Sequence, residues 1–310
     1  MIEKGKLLLS IFLSIPDCIR HFQSYPPTFI IGSPRSGTTL TLKLFKNQPQ
    51  ITTSLEPFKL WKKAFRSSVD DTYQSSINVL GLQILRYFYY QLVIPTQPYL
   101  VVKDPRDSIR VNTIKRLFPN AKFIHVIRDG RDVIASIMKT SQNEIYLTED
   151  DQWPHVRIPG YRKLFENPSH INAALQWKYC VETSLNHLAE VEPSNVLTFY
   201  YEDLVANPEV TANNILSFCC PEINQQELEK VISTISDQVV KKENLSVIKS
   251  SRLWKERMEQ YSSLVADDAG SGTTAEQSRV SRWKNELDAQ ILSECYPIIE
   301  DTLKKLNFLL

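Results

Sequence analysis

The chain has 310 residues, with 36 Lys and Arg against 35 Asp and Glu and a formal net charge of +1. That length sets a prior of one large domain or two small ones, and the near-zero charge excludes a globally basic nucleic-acid binder, though not a local basic cleft. No run of 18 apolar residues argues for a membrane span, and five cysteines without Cys-x-x-Cys spacing argue against a disulfide framework or zinc site, which fits a reducing, cytoplasmic setting.

Residues 1–24 read as a helical extension. Leu7 to Ile15 is apolar and follows Lys4 and Lys6, but no small-x-small cleavage site comes after it. An amphipathic or core-docked helix is expected there, which leaves peripheral membrane contact open. Residues 27–31 form a short apolar strand, Gly32 to Gly37 a tight turn, and Thr38 to Lys46 a helix with Leu40, Leu44 and Phe45 at helical spacing. A polar-aromatic helical region covers roughly 58–92. Tyr99 to Val102 is a second strand, closed by Lys103-Asp104-Pro105, and 107–118 a helix that stops at Pro119-Asn120. Lys122 to Ile127 is a third strand followed by a helix over 132–138. Val196 to Tyr200 is a fourth, followed by a helix that starts at Glu202. Residues 141–170 read as a long loop able to act as a lid, 262–278 as a small, polar, mobile loop, and 287–306 as a helix. Strands alternating with helices predict an α/β fold, a P-loop-like parallel sheet flanked by helices. With no repeat and no clean linker, 1–310 reads as a single domain.

The chain has only 8 glycines, and Gly32, Gly37 and Gly130 fall in the two segments richest in chemistry. In Gly32-Ser33-Pro34-Arg35-Ser36-Gly37-Thr38-Thr39, backbone N–H groups, Arg35 and the hydroxyls converge between a strand and a helix, a ready anion site. The alternative is an ordinary strand-to-helix turn, which does not need so many donors. The spacing matches the nucleoside-triphosphate P-loop through Gly37, but Thr38 stands where the phosphate-binding lysine belongs. Strand 122–127 is also followed by Arg128 rather than an aspartate, so a kinase or ATPase is disfavoured. No acidic cluster or histidine pair offers a metal site.

The segment Pro34 to Thr39 resembles the 5′-phosphosulfate loop of sulfotransferases that use 3′-phosphoadenylyl sulfate (PAPS). Ile127-Arg128-Asp129-Gly130-Arg131-Asp132 with Ser136 resembles their 3′-phosphate motif. The resemblance implies that Pro34, Arg35, Ser36, Gly37, Thr38, Thr39, Arg128 and Ser136 bind PAPS and its product adenosine 3′,5′-bisphosphate (PAP), without a metal. Tyr201-Glu202-Asp203 looks like the family's strand-end Tyr-Glu-Asp, with Tyr201 near the nucleotide. The cytosolic small-molecule branch has Lys-x-His where this chain has Lys103-Asp104-Pro105, so the histidine base is absent; His125, mid-strand, reads as a core residue. Glu56 falls where tyrosylprotein sulfotransferases and related bacterial-type enzymes carry their catalytic glutamate. Ser236 matches a serine on the 5′ side of PAPS, and Arg282, in Ser281-Arg282-Trp283, stands in for a cofactor-binding lysine. The implied reaction is in-line transfer of the sulfuryl group to an acceptor hydroxyl. Glu56 is the base, and Arg35, Lys103 and Ser236 stabilise the leaving group. Segments 58–95 and 141–170, which face the acceptor, show no match. The protein or peptide tyrosine acceptor thus rests on the motif resemblance alone, with a carbohydrate or small-molecule hydroxyl as the alternative and a homodimer left open. The alternatives are a P-loop phosphotransferase or nucleotide kinase, and a non-catalytic nucleotide-binding protein on the same fold.

Overall fold

A computed structural model describes residues 2–46, 48–65, 70–141, 156–220 and 280–308. Five strands, β1 (Thr28–Ile31), β2 (Ile51–Leu55), β3 (Tyr99–Lys103), β4 (Lys122–Ile127) and β5 (Val196–Tyr200), form one sheet in the order β2-β3-β1-β4-β5. Every pairing is parallel. β1 and the inner part of β4 are buried and almost continuously apolar, as strands covered on both faces must be. Phe29, Val102 and Phe123 pack on one face with Trp61, Tyr89 and Phe118. Ile30, Val101, Ile124 and Val126 pack on the other with Leu44, Phe45 and Ile215.

Eleven helices are described: α1 (Ile2–Ser24), α2 (Thr38–Lys43), α3 (Phe58–Ala64), α4 (Val79–Tyr90), α5 (Val111–Leu117), α6 (Gly130–Ser141), α7 (Ser169–Leu188), α8 (Tyr201–Ala206), α9 (Pro208–Cys219), α10 (Trp283–Glu286) and α11 (Ala289–Lys305). α1 docks through Ile11, Cys18 and Phe22, with the Phe22 ring 4.7 Å from that of Phe118. Among the described residues no helix is long and apolar enough to cross a membrane. All five cysteines are buried.

Several elements differ from the sequence reading. β2 was not expected, because Ile51-Thr-Thr-Ser-Leu is short and half polar; its pairing with β3 makes it a strand. The region 58–92 is two helices, α3 and α4, separated by a 3-10 turn over Gln74–Ser76. Asn78 starts α4 by accepting from the Gly81 N–H at 2.8 Å. The helix expected over 107–118 begins as a 3-10 turn, Pro105–Ile109, capped by Asp104. Of the loop expected over 141–170, residues 142–155 lie outside the described residues. The remainder is more regular than expected: Tyr161–Glu166 form a 3-10 helix and Ser169 opens α7. The loop 262–278 also lies outside the described residues.

The sheet order makes β1 the switch point: the chain adds β2 and β3 on one side and β4 and β5 on the other. Ligands of open parallel sheets bind beyond the carboxyl ends of strands at such a point. Gly32, Glu56, Lys103, Arg128 and Tyr201 stand at or just past the ends of the five strands, along one edge.

His125 is fully buried mid-strand, with Nε2 2.9 Å from Ser184 Oγ, and burial takes its imidazole from 6.5 down to about 4. Between those values the unfolded chain binds more protons than the folded one, so this residue's contribution makes stability fall as pH drops from 6.5 towards 4. At ~1.4 kcal/mol per unit the loss is on the order of 3 kcal/mol. His125→Gln is expected to remove most of that loss. The check is the difference in unfolding free energy between about pH 7 and about pH 4.5, measured in urea for both proteins. Equal differences would show that His125 does not carry the effect.

Candidate active site

At the end of β1, the Ser108 hydroxyl clamps Gly32 at both backbone groups: the Gly32 N–H donates to Ser108 Oγ, which donates to the Gly32 carbonyl, each at 2.9 Å. The chain then turns tightly. Ser36 donates from N–H and hydroxyl to the Ser33 carbonyl, at 3.1 and 2.6 Å. Arg35 (φ 69°) and Gly37 (φ 100°) are left-handed. A Cβ on Gly37 would come within 2.5 Å of the Tyr201 ring, so the glycine serves both the turn and the close approach of β5's end. Thr38 is buried and Thr39 half-buried at the start of α2.

The turn after β4 meets this loop directly. Arg128 Nη1 donates to the Arg35 carbonyl at 3.1 Å, and Arg35 Nε donates to Ser136 Oγ at 3.1 Å. The Arg128 guanidinium lies 4.3 Å from the Tyr201 ring centre and 3.8 Å from Asp132. Burial pulls the Arg128 pKa down, against Tyr201, Asp132 and Glu202, which favour the charge. Glu202 accepts from the Asp129 N–H, and burial pushes its carboxyl up to about 7. Trp177 Nε1 donates to the Arg128 carbonyl at 3.1 Å, and a Cβ on Gly130 would strike the same indole at 2.8 Å, so α7 fixes the turn from behind. Asp132 accepts from the Ser281 and Trp283 N–H groups at 2.9 and 3.0 Å. That brings Arg282 into the electrostatic environment of Arg128, although its own guanidinium is engaged by Glu286.

A second group stands at the ends of β2 and β3. Leu55 pairs in register with Lys103, and Lys103 with Ile30. Glu56 follows in a left-handed conformation (φ 47°), its N–H donating to the Lys103 carbonyl at 2.7 Å. The two side chains meet in a nearly buried ion pair, Lys103 Nζ to Glu56 Oε1 at 2.7 Å. Arg106 Nη1 lies 3.9 Å from Glu56 Oε2. Four of the five non-glycine residues with positive φ among the described residues, Arg35, Glu56, Tyr73 and Ser281, belong to or border these groups. Backbone held in a sparsely populated region this way needs surroundings that over-determine it.

Arg35, Ser36, Gly37, Thr38, Arg128, Ser136 and Tyr201 are thus one cluster, and Glu56 with Lys103 another at the same sheet edge. Pro34 and Thr39 lie in the loop itself; Ser236 lies outside the described residues. The sequence reading missed a buried network behind Glu56, comprising Asp71, Asp104, Arg106, Asp107, Arg110 and Arg157. Desolvation and the neighbouring Asp104 push Asp107 up to about 8. The charge-dense run Lys103-Asp104-Pro105-Arg106-Asp107 was its visible trace. No group of His, Cys, Asp and Glu among the described residues is arranged to hold a metal ion.

A model of the sulfotransferase family matches residues 26–224. The chain belongs to the sulfotransferase family. Among curated relatives of this chain, protein-tyrosine sulfotransferase 2 of Gallus gallus is 28% identical over 211 residues, covering 64% of this chain and 52% of that protein. Protein-tyrosine sulfotransferase A of Caenorhabditis elegans is 28% identical over 251 residues, covering 72% and 60%. The chain thus spans about half to two thirds of the length of such relatives. The sulfotransferase domain from the curacin biosynthetic pathway superposes with a TM-score of 0.55 at 18% identity, covering 89% of this chain and 96% of that one. A Mycobacterium avium sulfotransferase gives 0.53 at 14%, covering 95% and 81%. These two likenesses show the sulfotransferase fold.

Proposed function

We propose that this sulfotransferase moves the sulfuryl group of PAPS to an acceptor hydroxyl, with Glu56 as general base. The observation that carries this reading is the Lys103–Glu56 pair, 2.7 Å apart, at the sheet edge that also bears the Arg35 loop. The donor set fits a ligand with two separated phosphate groups. Arg35 and Arg128 are linked through the Arg35 carbonyl and Ser136, and loop N–H groups and hydroxyls line the turn between them. An anion there would relieve the cost of burying the Arg128 charge.

PAPS supplies the sulfuryl group and a 5′-phosphate leaving group. Arg35, Ser36, Thr38, Thr39 and the loop N–H groups bind the phosphosulfate end, with Pro34 and Gly37 shaping the turn. Arg128, Ser136 and Arg282 bind the 3′-phosphate, with Tyr201 packed beside them. Lys103, with Arg35 and Ser236, holds charge developing on the leaving side. A Glu56 oxygen takes the acceptor proton as the hydroxyl oxygen attacks.

Protein tyrosine is the acceptor we propose, supported by the protein-tyrosine sulfotransferases among its relatives. The test supplies labelled PAPS with tyrosine peptides, phenols, sugars and lipid alcohols. Label on the peptide supports the full reading. Label on another acceptor keeps the chemistry and overturns the tyrosine, and label on none overturns sulfuryl transfer.

Cofactor choice gives a further check. PAP is expected to bind at least ~10-fold tighter than ADP, a difference of ~1.4 kcal/mol, because ADP has no 3′-phosphate for Arg128. Arg128→Ala is expected to erase most of the preference in calorimetry. Equal affinities in the wild type would contradict the assignment of Arg128.

A further inference from the structure

Glu56 sits between two cations that cannot be equivalent. Lys103 Nζ contacts Oε1, and its flexible stem also gives it reach towards the leaving group. Arg106 is fixed. Its Nη1 donates to Asp104 Oδ1 at 2.9 Å, its Nε lies 3.6 Å from Asp71 Oδ2, and its guanidinium covers the Phe58 ring at 5.2 Å. Asp71 is held in turn. The Arg157 N–H and guanidinium donate to it at 2.8–3.1 Å, and Arg110, stacked 4.4 Å from Trp61, lies 3.6 Å away. The backbone locks the same contact, with Asp71 N–H donating to the Arg157 carbonyl at 2.8 Å. The result is a rigid chain of charge from Arg157 through Asp71 and Arg106 to Oε2 of Glu56.

We propose that Arg106 is a positioning residue for Glu56, holding Oε2 towards the acceptor while Lys103 turns to the leaving group. This rests on the reading of Glu56 as base. A planar guanidinium stacked on a ring and pinned by two carboxylates keeps one orientation, which a lysine stem does not. Among the described residues, Lys103 and Arg106 are the charged groups that face Glu56. Asp104 and Asp71 face Arg106 from behind, and Arg110 and Arg157 keep those two carboxylates compensated. An opposite charge within ~4–6 Å lowers a carboxyl pKa by ~1–3 units, so loss of Arg106 moves the protonation of Glu56 to higher pH.

The test compares Arg106→Met, Arg106→Lys and Glu56→Gln, using the acceptor that takes label from PAPS in the panel above. Arg106→Met is expected to lower kcat roughly 10- to 100-fold through misplacement of the base. The acid limb of its pH profile should move up by ~1 unit, while PAP affinity in calorimetry holds. Arg106→Lys should restore the limb but only part of kcat. Wild-type kcat and limb in Arg106→Met overturn the proposal, as does an unmoved limb with reduced kcat. If Arg106→Met no longer binds PAP, its fold is compromised, and the same comparison is made between Arg106→Lys and Arg106→Gln, where equal limbs overturn the proposal. A collapse in Glu56→Gln beside a normal Arg106→Met defeats only the positioning role; a fully active Glu56→Gln defeats the base itself.

Discussion

Glu56→Gln is expected to lower turnover by ~10²-fold or more, the worth of a positioned general base. The substitution keeps the side chain's shape. Its amide oxygen still accepts from Lys103, so the 2.7 Å contact and the backbone turn at φ 47° need not change. PAP affinity should hold, because the proposed reading assigns it to the loop, Arg128 and Ser136. The wild-type pH profile should fall on the acid side as a carboxylate protonates, and the variant should lose that limb. The measurement is kcat across the pH range with labelled PAPS and the panel's acceptor. Near-normal turnover would remove Glu56 from the mechanism. Little could replace it: His125 is buried within β4 against Ser184, and Asp104 is buried against Arg106 and Arg110.

What the sequence made legible follows from which constraints are local. The β1 turn could be read because its glycines and donors are contiguous and lie between an apolar strand and a helical pattern. Arg128 and Ser136 could be read because one helix carries the spacing between them. β2 could not, since Ile51-Thr52-Thr53-Ser54-Leu55 becomes a strand only through its partner β3. α7 carries Ala173, Ala174, Trp177, Val181, Ser184 and Leu188 at helical spacing, a local signal that the prolines just before it, Pro154, Pro159 and Pro168, obscure. The left-handed backbone at Arg35 and Glu56 has no sequence signature, because such positions ordinarily favour glycine. The Asp71–Arg157 clamp joins residues 86 apart, a tertiary product that no local rule anticipates. Base and leaving-group cation were named separately from resemblance. Their contact needs β2 and β3 side by side, and so needed the strand that was missed.

Lys103→Met is the second large effect, and it should look different. The side chain is almost fully buried at the end of β3, so methionine fills its volume and removes only the charge. A preorganised donor to developing charge is worth ~2.7–4 kcal/mol, so turnover should drop ~10²–10³-fold. Two further consequences separate it from Glu56→Gln. The 5′-phosphate of PAP loses a cation, so nucleotide affinity should weaken. Glu56 also loses the cation at 2.7 Å, while Arg106 stays at 3.9 Å. Its protonation should therefore shift to higher pH, and the acid limb should persist at a higher position rather than vanish. Paired kcat profiles and PAP calorimetry read all three changes. If Lys103→Met loses turnover with an unmoved limb, Lys103 serves the leaving group but its contact with Glu56 does not set the base. If the limb moves while turnover holds at low proton concentration, Lys103 tunes the carboxylate and the leaving-group charge falls to Arg35 and Ser236.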